Sequence, residues 1–282
     1  MKIMSIGAGF VSEHLPYERI DQHVYSLLDM HNMLEKHQPD VLINCIGKTG
    51  RPNVDWCESH KEDTSFANTA IPIMLANACK SFNTHLIQIG SGCVYFGESP
   101  NYMFTGTTGV EGVKCDLGWK EDDFANPKSY YSKTKYACDL ALDGISHVTT
   151  LRIRMPISSK NNSRNFINKV RGYNQVIDIP NSVTFMDDLV RCVDWASTTK
   201  QSGIFHVTNP TPLSAADIMR EYQKYVPDHQ FTVIDEAVLD KITVAKRSNC
   251  IINSSKLLKA GFRMTPTENA LEDCMAAYIK NI

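Results

Sequence analysis

Two kinds of segment alternate along this chain. Short apolar runs are typical of strands buried on both faces of a sheet, and longer stretches carry apolar residues at helical spacing. The apolar runs predict strands at 1–6, 39–47, 85–90, 148–154, 176–179 and 203–208. Helical spacing predicts helices at 30–37, 63–81, 131–142, 187–198, 214–225 and 267–279. Strands that alternate with helices favour an α/β fold with a doubly wound, Rossmann-type parallel sheet.

The pattern becomes less regular towards the C-terminus, which divides the chain into two parts. We expect residues 1–154 to form a dinucleotide-binding Rossmann domain, to which residues 176–207 return. Residues 155–175 and 208–282 are then expected to form a smaller lobe. This lobe would lie over the sheet edge that carries the site, because ligands bind at the carboxyl ends of strands in such folds.

Composition narrows the class of protein. The chain has 282 residues, 43% of them hydrophobic, and a net charge of −2 without a long run of one sign. These values predict neither nucleic acid nor a membrane as a partner. No signal peptide and no membrane span are predicted. Nine cysteines without a Cys-x-x-Cys pair predict reduced thiols in the cytoplasm and no metal site.

The first predicted strand ends in a glycine turn of the pattern G-x-G-x-x-S. Gly7 and Gly9 would let the backbone approach a pyrophosphate, although a glycine turn without a ligand is an equal alternative. Pro16 leaves too little chain before Asp29 for a full helix and a full strand, so the acidic residue that usually binds the adenosine ribose has no clear place. Arg19 is a candidate partner for a 2′-phosphate, with a solvated surface arginine as the alternative reading.

Polar residues follow the next two predicted strands. The segment 48–58 comes after the strand at 39–47 and is rich in hydrogen-bonding groups, although an ordinary connection would have the same position. Asn68 lies inside a predicted helix, where asparagine is a poor helix former. It therefore predicts either a structural water or a side chain that supports the site. Ser91 and Cys93 follow the strand at 85–90.

Tyr131 and Lys135 stand four residues apart, on one face of a predicted helix. A phenol has a reference pKa of about 10, and a nearby ammonium would lower it towards neutrality. Such a pair can pass a proton to a carbonyl oxygen. An exposed pair on a helix surface is the usual alternative for this spacing.

Together these motifs resemble the extended short-chain dehydrogenase/reductases. More specifically, the chain resembles the UDP-4-keto-6-deoxyglucose 3,5-epimerase/4-reductases that make UDP-rhamnose in plants and some viruses. The resemblance lies in the segments 49–60 (TGRPNVDWCESH), 131–135 (YSKTK), 151–159 (LRIRMPISS), 164–169 (RNFINK), 179–184 (IPNSVT) and 247–249 (RSN). Two departures are a shortened segment before Asp29 and a longer loop between Cys93 and Tyr131.

The resemblance implies catalytic roles for Ser91, Tyr131 and Lys135. Tyr131 would steady an enolate and later protonate the C4 oxygen, to which Ser91 would also hydrogen-bond. For inversion at C3 and C5 we assign Cys93 and Lys169 as the proton pair on the two faces of the sugar, since a thiol and a desolvated lysine both exchange protons near neutrality. A buried structural cysteine and a solvated surface lysine are the alternatives.

By the same resemblance, further residues are assigned to two ligands. The expected contacts to the coenzyme are Gly7, Gly9, Phe10, Val11, Cys45, Ile46, Gly47, Thr49, Asn68, Tyr131, Lys135, Pro156 and Ile157. The expected contacts to the nucleotide sugar are Arg51, Asn53, Ser91, Cys93, Asn165, Lys169 and Arg247.

The predicted function is conversion of a UDP- or dTDP-linked 4-keto-6-deoxyglucose to the L-rhamnose form by a homodimeric enzyme with NADPH, or NADH as the alternative. A plain 4-keto-sugar reductase, for which Cys93 and Lys169 would be bystanders, stays open. So does an epimerase/reductase of the GDP-fucose synthase type. A non-catalytic sugar-nucleotide-binding subunit is the alternative from another class, because a fold does not fix a function.

Overall fold

The computed structural model describes residues 1–51, 53–99 and 118–282. Its centre is a parallel sheet of six strands in the order β2-β1-β3-β4-β5-β9. The strands are β1 (Ile3–Ile6), β2 (Glu18–Ile20), β3 (Val41–Asn44), β4 (His85–Ser91), β5 (Val148–Ile153) and β9 (Gly203–Val207).

Helices cover both faces of this sheet. One face packs on α1 (Leu27–His37), α4 (Ile71–Ser81) and α5 (Tyr130–Leu142) through a core that includes Leu42 and Leu86. The other face packs on α7 (Met186–Thr199) through a core that includes Ile43 and Ile87. Successive strand residues thus point into opposite cores, as a buried parallel strand requires. The predicted doubly wound fold is confirmed.

The chain crosses the sheet between β1 and β3, where the strand order reverses. It leaves β1 for β2 at one edge and then returns to β3 on the other side of β1. A ligand crevice forms at the carboxyl ends of the two strands at such a switch point. Only a single 3₁₀ turn, Ser12–His14, separates β1 from β2, in line with the short segment that ends at Asp29.

The predicted helix at 63–81 is composite in the structure. The chain passes through α2 (Trp56–Ser59), α3 (Lys61–Ser65) and a π-helical turn (Phe66–Ala70) before α4 begins. Single π turns inside helices often mark functional sites. Here the π turn holds Asn68.

The smaller lobe has two short sheets and its own core. β6 (Pro156–Ile157) pairs with β8 (Thr184–Phe185), and β7 (Gln175–Ile177) pairs with β10 (Thr232–Ile234). Four helices accompany them: α6 (Phe166–Arg171), α8 (Ala215–Gln223), α9 (Glu236–Ile242) and α11 (Thr267–Ile279). A further helix, α10 (Ser255–Lys259), packs against the large sheet through Leu257.

One expected boundary is wrong. Residues 176–179 were expected to return to the Rossmann sheet, but β7 pairs with β10 in the smaller lobe. The chain returns to the large sheet only with α7, which packs on its face, and β9, which pairs with β5. A strand of three residues shows no pattern that would tell one sheet from another.

Among the described helices, none is long and apolar enough to cross a bilayer. The predicted long loop between Cys93 and Tyr131 falls partly on residues 100–117, which lie outside the described residues.

Candidate active site

Ser91 ends β4, and Cys93 follows it in a 3₁₀ turn, Gly92–Val94. The Ser91 hydroxyl oxygen accepts a hydrogen bond from the Cys93 amide at 3.2 Å, which ties the two residues together. Ser91 is buried, and Cys93 is half-buried. The two side chains that the sequence predicted to share a cavity therefore lie on one short turn at the carboxyl edge of the sheet.

Helix α5 brings Tyr131 to this turn. Ser129 caps the helix by accepting a hydrogen bond from the Ser132 amide, so the tyrosine stands in the first turn. The Tyr131 phenol is buried and hydrogen-bonded to Ser91. Burial raises the pKa of Tyr131, which the hydrogen bond from Ser91 offsets only in part. The phenol is therefore held in its protonated form, ready to donate.

The predicted effect of Lys135 on this phenol is contradicted. Lys135 was expected to lower the pKa of Tyr131, yet the pKa is raised. The buried Lys135 ammonium instead donates to the Ile89 carbonyl at 3.0 Å. It is held beneath the end of β4 and does not turn towards solvent.

Lys169 reaches the same region from the smaller lobe. It lies on α6, and burial lowers its pKa, with a further decrease from the Arg164 charge. The Cys93 sulfur acts on Lys169 in the opposite direction, so the two groups are within electrostatic reach of each other. Ser91 and Tyr131 are thus hydrogen-bonded to each other, Cys93 lies on the same turn as Ser91, and Lys169 is within electrostatic range of Cys93.

Arg154 is a member of this site that the sequence motifs did not single out. Its side chain is 2% exposed, and its Nη1 donates to the Cys93 sulfur at 2.8 Å. The next residue, Met155, has a φ of 40°, in the left-handed region that L-residues rarely occupy. The signal was the presence of two arginines, Arg152 and Arg154, in a run that otherwise predicts a buried strand, because a buried charge needs a specific partner.

The glycine turn after β1 has two features of a pyrophosphate site. Around Gly9 there is open space, since a Cβ built there would meet no atom within 4 Å. Ser12 closes the turn by binding the Gly9 amide at 3.0 Å and the Gly9 carbonyl at 2.9 Å. The amides of Phe10 and Val11 have no acceptor among the described residues. Two free N–H groups beside open space fit a pyrophosphate.

On the β3 side of the crevice, Asn68 supports the segment after β3 from behind and does not face the crevice. Cys45 and Ile46 are half-buried and Gly47 is exposed, as expected for lining residues. Asn68 is fully buried, and its amide group bonds to the Lys48 amide, the Lys48 carbonyl and Thr134. The prediction that Asn68 contacts the coenzyme is therefore wrong. The alternative prediction, a side chain that supports the site, describes Asn68 correctly.

The loop after β3 meets the smaller lobe. The Arg164 guanidinium donates to the Thr49 hydroxyl at 2.7 Å and to the Gly50 carbonyl at 2.8 Å. Burial is the main cause that lowers the pKa of Arg164. The charge of the exposed Arg51 nearby lowers it further. The Asn53 side chain accepts from the Asp55 amide at 2.8 Å, so its oxygen shapes the loop.

Two expected nucleotide contacts have other partners. Asn165 is fully buried; it caps α6 and bonds to the backbone of Ser158 and Lys160. It is therefore a structural residue, and its predicted contact with substrate is wrong. The Arg247 guanidinium forms a two-point ion pair with Asp55, at 2.7 and 3.1 Å. Arg247 holds the pKa of Asp55 below its usual value.

Pro156 and Ile157 follow this site as strand β6. Ile157 is fully buried and Pro156 is half-buried, so the proline is the more accessible of the two. As a whole, the arrangement can do two kinds of chemistry. Ser91 and Tyr131 can bind and protonate a carbonyl oxygen, while Cys93 and Lys169 can exchange protons with carbon acids beside it.

Curated relatives carry names that match this chemistry. The chain is 38% identical over 230 residues to a bifunctional dTDP-4-dehydrorhamnose 3,5-epimerase/dTDP-4-dehydrorhamnose reductase of Arabidopsis thaliana, covering 79% of this chain and 72% of that protein. It is 34% identical over 272 residues to a trifunctional UDP-glucose 4,6-dehydratase/UDP-4-keto-6-deoxy-D-glucose 3,5-epimerase/UDP-4-keto-L-rhamnose-reductase of the same plant. That match covers 94% of this chain but only 38% of the trifunctional protein.

Solved structures share the fold over nearly the whole length. The UDP-rhamnose synthase of Acanthamoeba polyphaga mimivirus superposes with a TM-score of 0.86 at 24% identity, covering 98% of this chain and 99% of that one. A dTDP-4-dehydrorhamnose reductase of Bacillus anthracis, solved in complex with NADP, has a TM-score of 0.79 at 18% identity, with 97% and 98% covered.

The family model described as the RmlD substrate binding domain matches residues 11–279. That match takes in both the Rossmann sheet from its first turn onward and the smaller lobe with Lys169. Because it extends over nearly the whole chain, the protein belongs to the RmlD substrate-binding family.

Proposed function

We propose that this chain is an NADPH-dependent bifunctional enzyme that epimerises a nucleotide-linked 4-keto-6-deoxyglucose at C3 and C5 and then reduces C4. The product would be the nucleotide-linked L-rhamnose. The favoured nucleotide is UDP, with dTDP as the alternative, since curated relatives bear both names.

The observation that carries this proposal is the second pair of proton-transfer groups. A plain reductase needs only a proton donor for the C4 oxygen, which Ser91 and Tyr131 supply. Cys93 and Lys169 would then have no task. The two groups come from different lobes and lie within electrostatic range of each other, which fits an enzyme that must act on both faces of a sugar ring.

For reduction, the coenzyme supplies hydride to C4 when it is bound. The residues that would hold it are Gly9, Phe10 and Val11 on one side of the switch point and Ile46 and Gly47 on the other. Tyr131 donates its phenolic proton to the C4 oxygen, while Ser91 hydrogen-bonds the same oxygen. A raised pKa suits this role, because the phenol stays protonated near neutrality.

Coenzyme choice depends on the carboxyl end of β2, where the adenosine ribose of a Rossmann ligand lies. Arg19 on β2 is exposed and is the proposed partner of a 2′-phosphate. Asp21 directly follows the strand and would favour a 2′-hydroxyl. Comparing kcat/KM for NADPH and NADH in the wild type and Arg19→Ala tests this assignment: a loss confined to NADPH is expected, and equal losses would contradict it.

We also propose the cytoplasm as the location. All eight cysteines among the described residues are free, as expected for a reducing compartment. Localising a fluorescent fusion of the chain tests this, and a signal inside the secretory pathway would contradict it.

The function is tested with purified protein, NADPH and UDP-4-keto-6-deoxyglucose, followed by separation of the sugar nucleotides. UDP-L-rhamnose is the expected product. A 6-deoxy sugar that keeps the D-configuration at C5 would identify a plain reductase. Tight binding without turnover would identify a non-catalytic subunit. The dTDP- and GDP-linked sugars, run in parallel, rank the nucleotides.

A further inference from the structure

Arg154 is a buried cation without an acidic partner among the described residues. Its side chain is 2% exposed, and none of the described ion pairs includes it. Besides Cys93 it hydrogen-bonds the Cys250 sulfur. It also donates to the Asn181 side-chain oxygen at 2.7 Å and to the Ser248 carbonyl. Its Nε has no hydrogen-bond partner among the residues that the structure describes. Arginine stays protonated in proteins, so a positive charge is buried here beside neutral oxygens and two sulfurs.

Two thiols lie beside this charge, and their surroundings differ. Cys250 is 3% exposed, its sulfur lies 3.5 Å from the Gly92 carbonyl, and burial raises its pKa. Cys250 therefore stays a neutral thiol. Cys93 is half-buried and has the 2.8 Å contact with Arg154. Of the two sulfurs, Cys93 is the one that an adjacent cation can hold as a thiolate.

The other charged or titratable groups around Cys93 favour the same form. Groups that interact electrostatically with the Cys93 sulfur include Arg154 after β5, Cys250 in the segment after α9, Lys169 on α6 and Tyr131 on α5. Two of these are cations and none is a carboxylate. A negative charge on Cys93 is thus balanced from both lobes.

We propose that Arg154 is the positioning residue of epimerisation, holding the Cys93 sulfur as a thiolate that serves as the base. Arg154 has this role only if the chain epimerises its substrate, as proposed above. The backbone at Arg154 is fixed for it, since its amide donates to the Thr184 hydroxyl at 2.9 Å and the strained Met155 follows.

The proton and charge balance is complete without another reactant. The Cys93 thiolate takes a proton from C3 or C5, and the C–H electron pair becomes an enolate with its charge on the C4 oxygen. Ser91 and Tyr131 hydrogen-bond that oxygen. The Lys169 ammonium returns a proton to the opposite face of the same carbon. The resulting thiol and neutral amine regain their starting states when the thiol proton passes to the amine through solvent.

The test is the pH dependence of Cys93 alkylation by iodoacetamide, followed by mass spectrometry of the peptide that carries Cys93. Only the thiolate reacts, so the pH of half-maximal rate reports its formation. The midpoint pH of the wild type is the reference. In Arg154→Met it should rise, and alkylation at pH 7 should slow by at least about tenfold. Arg154→Lys, which keeps the charge, should lie between them.

Cys250→Ala is the matched control, because it removes the other sulfur beside Arg154 and keeps the charge. It should leave the alkylation midpoint of Cys93 close to that of the wild type. A rise equal to that of Arg154→Met would trace the effect to packing and overturn the assignment. If the Arg154→Met protein does not fold, Arg154→Gln, which also removes the charge, takes its place, and a midpoint equal to that of the wild type overturns the assignment.

A second readout separates this inference from the proposed function. Exchange of sugar C–H protons with heavy water should fall with Arg154→Met at neutral pH and recover at higher pH, because a thiolate still forms there. If the wild type shows no exchange while the alkylation midpoint behaves as expected, epimerisation is wrong and the Arg154–Cys93 charge contact is upheld. If exchange is normal and the midpoint is insensitive to Arg154, the positioning role is wrong.

Discussion

At the scale of single residues, burial acts in opposite directions on the proton-transfer groups of the site. It raises the pKa of the Tyr131 phenol and lowers the pKa of the Lys169 ammonium, because in each case the neutral form is favoured away from water. The phenol thereby stays a proton donor. The lysine becomes able to lose and regain its proton at a pH closer to neutrality.

Removing the Cys93 sulfur should separate the two activities. We predict that Cys93→Ala slows C–H exchange by about 100-fold or more, the usual size of a lost general base, and leaves NADPH binding unchanged. Tyr131→Phe should slow reduction by a similar factor and also retain NADPH. Exchange is measured by NMR and binding by fluorescence titration. Normal exchange in Cys93→Ala would remove Cys93 from the mechanism.

The pH dependence of epimerisation should carry the signature of Lys169. Lys169 must be protonated to donate, so exchange should decline as pH rises through its pKa, which burial and Arg164 both lower. Arg164→Gln removes the like charge, should raise that pKa, and should move the descending limb to higher pH. The exchange rate is measured against pH in both proteins. A limb that stays in place or moves to lower pH would exclude Lys169 as the acid.

The role of a residue could be predicted from the sequence where the residue belongs to a motif. It could not be predicted where the role depends on a contact with a distant segment. Ser91, Cys93 and Tyr131 were predicted from motifs and lie at the same end of β4, and Lys169 is within electrostatic range of Cys93. The roles of Arg154, Asn68 and Asn165 depend on partners in other segments, such as the Cys93 sulfur, the Lys48 backbone and the Ser158 backbone. Such tertiary hydrogen bonds leave no pattern in a single sequence.

At the scale of elements, the glycine turn after β1 has two positions with separate tasks. Gly7 has a φ of 96°, and a Cβ there would lie 2.6 Å from the Ile46 amide nitrogen. Gly9 has open space around it. One glycine is therefore required by the backbone of the fold, and the other leaves room beside the free amides of the crevice.

Alanine at these two glycines should have contrasting effects. We predict that Gly7→Ala lowers the free energy of unfolding by roughly 1–3 kcal/mol, the usual cost of a strained backbone position. Gly9→Ala should leave stability within about 0.5 kcal/mol and weaken NADPH binding. Chemical denaturation and coenzyme titration measure the two effects. Equal NADPH affinity in Gly9→Ala and the wild type would place the pyrophosphate elsewhere.

Long elements were predictable, and short ones were not. The helices α1, α5, α7 and α11 and the strands β1, β3, β4, β5 and β9 follow their apolar patterns to within a few residues. The two- and three-residue strands β2, β6 and β8 are too short to show a period of two. They form because neighbouring strands supply their hydrogen bonds, which only the folded chain provides.

At the scale of the whole molecule, two neighbouring helices leave apolar side chains exposed. Phe66, in the π turn, and Ile73, on α4, stand seven residues apart, and Leu140 lies on the adjacent α5. Their exposed fractions are 37%, 38% and 61%. Leu140 borders Ile204 of β9 in a surface depression. Large exposed apolar side chains make these helices candidates for a protein–protein interface. We propose that these helices form the interface of a homodimer.

A charge on this surface should therefore separate the subunits. We predict that Leu140→Glu gives a monomer in light scattering where the wild type gives a dimer, because burying an unpaired carboxylate is costly. Val238→Glu, at an exposed position on α9 in the other lobe, is the control and should stay dimeric. A monomeric wild type, or a dimeric Leu140→Glu protein, would contradict this interface.

The central claim is that one site both exchanges carbon-bound protons and reduces a ketone. The most direct test is turnover of UDP-4-keto-6-deoxyglucose with NADPH in heavy water, with NMR of the rhamnose ring. Deuterium at both C3 and C5 of the product is expected, because each carbon gives up one proton and receives another from solvent. A reduced product with protium at both positions would contradict the account.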